Sequence, residues 1–468
     1  MSDAPAAPAQ APWHRYLALV VLAYLFFLAI ELLGSGMKLS FADMLRDFLA
    51  AHTADFTELR SFVIGVVGTA FVQSSSTVTS MSVVLAQEGV MPLVIAAGIV
   101  HGANLGTSVT SSIVAFATSV PKSTGNLLKD GWNLLFQPRG PAFERAVGAA
   151  VVHDFFNIIM VTAILLFLEL PFGWILASSE ATASWLESRI VSSDWMLDVL
   201  AIVSPGTYTK PVAKGLFHGV EWGIAQLGFH PPAYAPGIVL VLVGLPLLFW
   251  SLRAFSTTMK DVVLAGADTD DALSLGDRLL GTNRYDTFLR GLVLTILVQS
   301  SSATTSMVVP LAAMGLFKVR RVFPFILGAN VGTTFTALLA ATSGLGQPGF
   351  HEGMTIALCH LLLNAFAVIL AWIVVGLPTS ILGSADFLAE KAERMPAILL
   401  LYLGCLVIVL PAVVYVFPQW VAAGFMSIVM LFMLVGPHVY VRMRLQRQLA
   451  VREAERARAV ATPGPGSP

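Results

Sequence analysis

One sequence segment occurs twice in this chain, at a constant separation of 226 residues. Phe71–Ser76 reads Phe-Val-Gln-Ser-Ser-Ser and reappears as Leu297–Ser302, while Gly102–Thr107 reappears as Gly328–Thr333. Over Phe62–Thr110 and its counterpart, 22 of 49 positions are identical without a gap. An internal repeat constrains a fold strongly, because both copies are expected to adopt the same supersecondary unit.

A third element follows each copy of this segment. It reads His153-x-x-x-Asn157 in the first copy and His360-x-x-x-Asn364 in the second. We therefore interpret the chain as repeat 1 over residues 17–170 and repeat 2 over residues 237–376. The other predicted segments are a disordered N-terminal tail (1–16), a periplasmic connector (171–236), C-terminal transmembrane helices (377–440) and a basic cytoplasmic tail (441–468).

The composition excludes an ordinary soluble domain. Hydrophobic residues make up 56% of the chain and charged residues only 12%, about half the charged fraction of a typical soluble protein. Apolar runs approach the roughly 20 residues that a membrane helix needs. The chain is therefore predicted to be an all-α polytopic membrane protein with lipid as its surroundings. A net charge of −1 gives no indication of a nucleic-acid partner.

The distribution of Lys and Arg predicts the orientation in the membrane. Three basic segments are expected in the cytoplasm: Thr118–Arg145, Phe317–Arg321 and Val441–Arg458. Pro171–Ala235, with more acidic than basic residues, is expected outside. The turn Met91–Ile95 is equivalent to Phe317–Arg321 but has no basic residue. We therefore predict inverted-topology repeats in a multi-pass inner-membrane protein whose N- and C-termini are both cytoplasmic.

Each Gln-Ser-Ser-Ser motif lies inside an apolar stretch whose halves, about 11 residues each, are too short to cross a bilayer. This pattern predicts a re-entrant helical hairpin around residues 61–88 and another around 287–316. We also expect a broken transmembrane helix in each copy. A break within the membrane must line a cavity or be buried in protein, and its free N–H groups attract anions. Serine hydroxyls would add donors for an oxyanion.

The Gly-Ala-Asn motifs add neutral oxygens of the kind that hard cations such as sodium prefer. Packing is the competing interpretation, because Ser, Thr and Gly in membrane helices often serve only helix contacts. Two copies with identical spacing favour a binding site. The candidate oxygen ligands are Asn104, Thr107, Thr110, Asn330, Thr333 and Thr336.

Asp154 is a carboxylate deep in an apolar segment, where an ionised side chain costs about 2.5–3.5 kcal/mol. The second copy has Leu361 at the equivalent position, so the repeat does not require the acid. We interpret Asp154 as functional; a headgroup position or pairing with His153 are the alternatives. His153 and His360 are candidates for proton relays or for helix-packing hydrogen bonds.

The residues resemble those of the type II sodium-phosphate cotransporter family. The resemblance rests on Gln73–Thr77, Gly102–Thr110, the His-Asp-Phe-Phe-Asn segment His153–Asn157, Gln299–Ser302 and Gly328–Thr336. It covers most of residues 17–416 and implies a secondary active transporter, not an enzyme. The implied function is alternating-access symport of inorganic phosphate with sodium, without any other cofactor. An Asp in His-Asp-Phe-Phe-Asn is similar to the residue of electrogenic members, which implies net charge movement.

The resemblance also implies roles for individual residues. By resemblance, phosphate-binding residues would be Gln73, Ser74, Ser75, Ser76, Gln299, Ser300, Ser301 and Ser302; the Gly-Ala-Asn motifs add Asn104 and Asn330 as candidates. By resemblance, sodium-binding residues would be Gln299, Thr336, Asp154 and Asn157; the same motifs add Thr107, Thr110 and Thr333. His153, His360 and Asn364 are further candidates from the His-x-x-x-Asn element.

Two alternatives remain open from the sequence. The same fold is compatible with symport of another oxyanion or a dicarboxylate, coupled to sodium or to protons. An intramembrane serine hydrolase is the remote alternative, since neither Gly-x-Ser-x-Gly nor His-Glu-x-x-His occurs in the chain.

Overall fold

The structure, a computed structural model, describes residues 13–51, 57–117, 121, 123–191, 205–226, 235–264, 280–281 and 283–461. All regular elements within these ranges are helices. They are α1 (Trp13–Ala51), α2 (Glu58–Val72), α3 (Ser75–Gln87), α4 (Leu93–Gly106), α5 (Ser108–Ala117), α6 (Leu127–Phe136), α7 (Pro141–Ile164), α8 (Trp174–Val191), α9 (Pro205–Gln226), α10 (Ala235–Leu264), α11 (Arg284–Val298), α12 (Ser301–Ala313), α13 (Val319–Thr342), α14 (Phe350–Ile373), α15 (Leu377–Arg394), α16 (Ala397–Gly404) and α17 (Gln419–Ala461). Single π-helical turns extend α7 and α16, so that the continuous spans are Pro141–Phe172 and Ala397–Val416.

Seven helical segments in the described part of the chain are long and apolar enough to cross a membrane. They are Trp13–Leu33, Leu93–Phe116, Pro141–Phe172, Val319–Thr342, Phe350–Ile373, Ala397–Val416 and Gln419–Met443. This confirms the prediction of an all-α polytopic membrane protein.

Glycines bring α2 and α4 into backbone contact. A Cβ atom on Gly102 would lie 1.7 Å from the carbonyl oxygen of Phe62, and one on Gly106 would lie 2.5 Å from that of Val66. Because residue numbers rise together along both helices, α2 and α4 run parallel. The intervening α3 is joined to each by a short link and therefore runs back between them, so α2 and α3 form a hairpin.

The second copy repeats this packing. A Cβ atom on Gly328 would lie 1.9 Å from the carbonyl oxygen of Phe288, and one on Gly332 would lie 2.7 Å from that of Leu292. Helices α11 and α13 are therefore also parallel, and α11 and α12 form the second hairpin. Small residues allow this close approach in lipid, where packing replaces the hydrophobic effect as the driving force.

The first helices of the two copies, α1 and α10, pack against each other in opposite directions. A Cβ atom on Gly36 would lie 2.7 Å from the carbonyl oxygen of Gly237, whereas one on Gly244 would lie 2.9 Å from the backbone nitrogen of Leu33. Residue numbers therefore increase along α10 in the direction in which they decrease along α1, so the two helices are antiparallel.

Helix α7 runs against α4 and α5 of its own copy. Asn157 donates to the backbone oxygen of Asn104, and at the other end of the pair the rings of Phe143 and Phe116 meet at 6.4 Å. Falling numbers in α7 therefore accompany rising numbers in α4 and α5, so the pair is antiparallel.

The same helix runs with α13 of the second copy. Val319, at the start of α13, packs on Gly148, and Asn330, further along, bonds to Asn157. Because α7 is parallel to α13 and antiparallel to α4–α5, the equivalent helices α4–α5 and α13 run in opposite directions.

The expected break in a transmembrane helix differs between the copies. In the first copy α4 and α5 meet at Thr107, whose φ and ψ of −60° and −32° stay near helical values. In the second copy α13 is continuous from Val319 to Thr342. The expectation of a broken transmembrane helix therefore does not hold for the second copy; the deep breaks lie in the hairpins instead.

The segments outside the repeats are partly described. Residues 13–16 open α1, and residues 1–12 of the predicted tail lie outside the described residues. The predicted connector contains α8 and α9, whereas 192–204 and 227–234 are not described. Helix α17 continues through the predicted basic tail to Ala461.

The linker between α5 and α7 contains α6, which has no buried residue. Hydrogen bonds from Thr124 and Ser123 hold the pKa of Asp130 below its ordinary value. A charged Asp130 therefore stabilises the turn that leads into α6.

Candidate functional site

The helix breaks at Gln73 and Gln299 have the same backbone geometry. Each has φ of 56° and ψ of 25°, and among the described residues these two are the non-glycine residues with positive φ. This left-handed conformation costs a non-glycine residue about 1–3 kcal/mol and persists only where its surroundings enforce it. Because the same strained conformation occurs at equivalent positions of both copies, the break is a structural property of the repeated unit.

The two glutamine side chains also make equivalent contacts. Gln73 Nε2 donates to the carbonyl oxygen of Ala70, three residues back, and Gln299 Nε2 makes the matching bond. Gln73 Oε1 accepts from Thr110 Oγ1 at 2.9 Å, and Gln299 Oε1 accepts from Thr336 Oγ1 at 2.8 Å. Each break is therefore held by its own backbone and tied to the helix that follows the hairpin.

A serine after each glutamine begins the returning helix. Ser74 Oγ accepts from the N–H of Thr77 at 3.3 Å, and Ser300 Oγ accepts from the N–H of Ala303 at 3.2 Å. Both serines have extended backbone and are helix N-caps. The next serines of each motif lie in the first turn, at the positive end of the helix dipole: Ser75, Ser76, Ser301 and Ser302.

The two hairpin tips meet. Ser76 Oγ donates to the backbone oxygen of Gln299 at 3.2 Å, although the two residues are 223 positions apart in sequence. Thr333 Oγ1 donates to Ser301 Oγ at 3.2 Å. Ser75, Ser76, Ser301 and Ser302 expose no more than 7% of their surface. Two helix N-termini and their hydroxyl groups therefore converge in the protein interior.

Buried asparagine and histidine side chains join the copies beside the tips. His153 Nε2 lies 2.8 Å from Asn330 Oδ1, and His360 Nε2 lies 3.2 Å from Asn104 Oδ1. Each histidine thus pairs with the Gly-Ala-Asn motif of the other copy. With the amide oxygen facing Nε2, that nitrogen carries the proton in each pair.

Asn157 and Asn364 extend this network. Asn330 Nδ2 donates to Asn157 Oδ1 at 3.2 Å, and Asn157 Nδ2 donates to the backbone oxygen of Asn104 at 2.8 Å. Asn364 Nδ2 donates to Asn104 Oδ1 at 3.2 Å. In this conformation the asparagines bind one another, so they hold the repeat interface while they lie next to the tips.

Asp154 is fully buried and contacts a different set of residues from its neighbour His153. Its Oδ2 atom accepts from Ser112 Oγ at 3.0 Å, and the hydroxyl group of Tyr402 faces the same carboxyl group. Leu361 at the equivalent position of α14 is partly buried against the hydrophobic core. A buried acid in only one copy makes the two halves electrostatically unequal.

Helix α5 connects Asp154 to both hairpins. Its consecutive residues Thr110, Ser111 and Ser112 bind Gln73, Thr305 and Asp154, respectively. Sequence reasoning identified Thr110 but missed Ser111, Ser112, Thr305 and Tyr402. The sequence did contain a signal for Ser111 and Ser112, because they continue the run of hydroxyl residues that begins at Thr110. Three adjacent polar side chains in an apolar helix point in three directions and so need three different partners.

The predicted sodium ligands fall into two groups. Thr110, Thr333 and Thr336 donate to hairpin residues, as described above, whereas Thr107 Oγ1 donates to Ala103 within its own helix at 2.8 Å. No group of three or more His, Cys, Asp or Glu residues that could hold a metal occurs in the described ranges. The side-chain oxygens that meet at the tips belong to neutral Gln, Ser and Thr residues.

These features define a class: a polytopic membrane protein in which two related helical hairpins bring polar, anion-attracting tips together in the bilayer. A family model described as Na+/Pi-cotransporter matches residues 25–124 and 238–414. The chain belongs to the Na+/Pi-cotransporter family. This family consists of cotransporters and not of enzymes, which agrees with the interpretation of the sequence.

Several curated proteins are similar to this chain. Sodium-dependent phosphate transport protein 2B from Homo sapiens is 26% identical over 421 residues, which cover 76% of this chain and 58% of that protein. Protein 2A from Mus musculus is 25% identical over 444 residues, which cover 84% of this chain and 66% of that protein. The chain thus spans less than two thirds of the length of the relatives it matches. No solved structure matches it significantly.

Proposed function

We propose that this protein imports inorganic phosphate together with sodium ions by alternating access. The observation that carries the proposal is the meeting of the two hairpin tips at Ser76 and Gln299. Two helix N-termini, each with serine hydroxyls in its first turn, come together at this contact, and helix N-termini attract oxyanions through their N–H groups and dipole. The family match and the names of the relatives support phosphate and sodium as the cargo.

We propose that sodium ions bind next to the phosphate, where the side-chain oxygens of Gln73, Gln299, Thr110 and Thr336 lie. Hard cations prefer such oxygen ligands. In the described conformation these oxygens bond to each other. Binding of an ion would replace those bonds, so that sodium binding would reshape the hairpin tips and prepare them for phosphate.

Asp154 supplies the negative charge in this scheme. Burial of the ionised Asp154 carboxylate is costly unless a cation or proton neutralises it during part of the cycle. We propose that it contributes to a sodium site and makes transport electrogenic. One net charge per cycle adds about 2.3 kcal/mol of driving force at 100 mV.

Alternating access would use the two copies as inverted halves. Support comes from the opposite directions of α1 and α10 and of α4–α5 and α13. Exchangeable hydrogen bonds, such as His153 to Asn330, join the two halves beside the candidate site. We place the protein in the inner membrane with both termini in the cytoplasm, on the basis of its basic loops.

Purified protein reconstituted in liposomes tests the proposal directly. Radiolabelled phosphate uptake is measured with an inward sodium gradient and, in parallel, with an inward potassium gradient of equal size. We expect uptake with sodium only. Uptake that follows a proton gradient without sodium would refute sodium coupling, and competition by arsenate or a dicarboxylate without phosphate uptake would refute the substrate.

A further inference from the structure

An apolar crevice runs along α17, where this helix faces α15 and α16. It consists of three adjoining cavities of about 280, 240 and 1080 Å³. Tyr402 and Met433 line both smaller cavities. Phe387 and Gly436 line both the 240 Å³ cavity and the largest one. The three cavities are therefore neighbours along α17, and together we call them the C-terminal crevice.

The C-terminal crevice extends from the end of a membrane span to the wall of the repeats. At its wide end lie Met443, where the apolar span of α17 ends, and Lys391, in the last turn of α15. At its narrow end lie Leu105 and Ile158, which belong to α4 and α7. A molecule in the crevice would thus reach from the headgroup region to the helices that hold the candidate site.

Two charged side chains, Glu390 and Lys391, line the wide end. Glu390 accepts hydrogen bonds from Arg394, at 2.9 Å, and from Tyr440, so that its carboxylate is balanced by the guanidinium. The ammonium group of Lys391 lies 5.6 Å from the ring centroid of Phe387. It is the cation at the opening that would attract an anionic group.

The narrow end contacts a residue next to Asp154. Tyr402 lines both smaller cavities, and its ring packs on that of Phe155, the residue after Asp154, with centroids 5.7 Å apart. An occupant of these cavities would touch Tyr402 and, through Phe155, the helical turn that carries Asp154. It would therefore restrict the position of the Asp154 side chain.

We propose that the C-terminal crevice binds one anionic phospholipid, with its phosphate at Lys391 and an acyl chain along Tyr402. The two inner cavities, of 240 and 280 Å³, are too small to hold a helix of about 10 Å diameter, so they fit an acyl chain better than a second protein helix. Acyl chains are the apolar molecules available at this depth. A lipid phosphate complements the Lys391 ammonium group at the opening, and the bound lipid is a positioning element for Asp154.

Native mass spectrometry of the delipidated protein in detergent, after addition of phosphatidylglycerol or phosphatidylcholine, tests the proposal without any transport assay. We expect wild type to retain one phosphatidylglycerol in preference to phosphatidylcholine. Lys391→Gln should weaken retention of phosphatidylglycerol about fivefold, the effect of one lysine at a lipid surface. Lys129→Gln, on the solvent-exposed α6, is the matched control and should retain the lipid like wild type.

A second pair of variants tests the chain-binding part. The atoms nearest to a Cβ atom on Gly436 belong to the ring of Phe432, at 3.8 Å or more, so Gly436→Leu should fold and fill the crevice. Its expected result is loss of bound lipid. Gly404→Leu, where a Cβ atom would have nothing within 4 Å, is the control and should keep it. Equal retention of both lipids by wild type, or unchanged retention in Lys391→Gln and Gly436→Leu, would overturn the proposal.

Discussion

Ser112 donates a 3.0 Å hydrogen bond to the buried carboxylate of Asp154, two residues after Thr110 donates to the hairpin glutamine Gln73. Helix α5 therefore links Asp154, which has no acidic counterpart in the second copy, to the first hairpin tip. A change in the charge state of Asp154 has a direct physical path to the tip through α5, because the hydroxyl groups of Thr110, Ser111 and Ser112 are all committed to partners.

Replacement of Asp154 by Asn should reduce or abolish the net charge moved per phosphate. The amide keeps the shape of the side chain but removes the negative charge that would attract one cation. The measurement is the ratio of current to phosphate flux in proteoliposomes on a solid support. Ser112→Ala is the control, because it removes a hydrogen bond and leaves the carboxylate; its ratio should stay at the wild-type value while its sodium dependence changes. An unchanged ratio in Asp154→Asn would refute the assigned role.

Ser75→Ala and Ser301→Ala should each raise the KM for phosphate roughly 10- to 100-fold. A hydrogen bond to a charged group contributes about 1.5–3 kcal/mol, and both hydroxyls lie at the converging helix N-termini. Initial rates of uptake at varied phosphate concentration provide the KM. Ser82→Ala is matched to Ser75→Ala, since Ser82 lies on the same helix and donates to Val78 within it. A wild-type KM in both tip variants would exclude the tips as the phosphate site.

His153→Gln should retain sodium-coupled uptake. Glutamine can still donate an N–H to Asn330, so the interface bond survives, whereas the imidazole that a proton relay would need is lost. His153→Leu should lose about 1–3 kcal/mol of stability, because it leaves the buried Asn330 oxygen without this donor.

Phosphate uptake under sodium and proton gradients distinguishes a proton-relay role of His153 from a packing role. Thermal unfolding in detergent measures the stability of both variants. Loss of coupling in His153→Gln, with normal folding, would indicate a proton relay and would contradict the packing role.

Gly102→Ala should severely destabilise the protein, because its Cβ atom would lie 1.7 Å from the carbonyl oxygen of Phe62. Gly68→Ala, on the facing helix α2, meets nothing within 4 Å and should stabilise by about 0.5–1 kcal/mol through helix propensity. The yield of folded protein and the temperature of half-unfolding in detergent test the predictions for both variants. Equal behaviour of the two variants would contradict the parallel packing of α2 and α4.

Local signals in the sequence determined the membrane class, the duplicated unit and the positions of the hairpin breaks. Apolar length, loop charge and the spacing of repeated motifs are properties of neighbouring residues, so they can be read without knowledge of the fold. The hairpins expected around residues 61–88 and 287–316 correspond to α2–α3 and α11–α12. The sodium and phosphate roles of individual residues stay predictions until transport is measured.

Tertiary structure alone decided which residues meet across the repeats. His153 and Asn330 are 177 positions apart, and Ser111 and Thr305 are 194 apart; no local pattern specifies such pairs. They depend on how helices of the two copies cross, which is set by the packing of whole surfaces. The same reason explains why the role of Tyr402 beside Asp154 was not evident from its apolar surroundings, and why α13 is continuous where a break was expected.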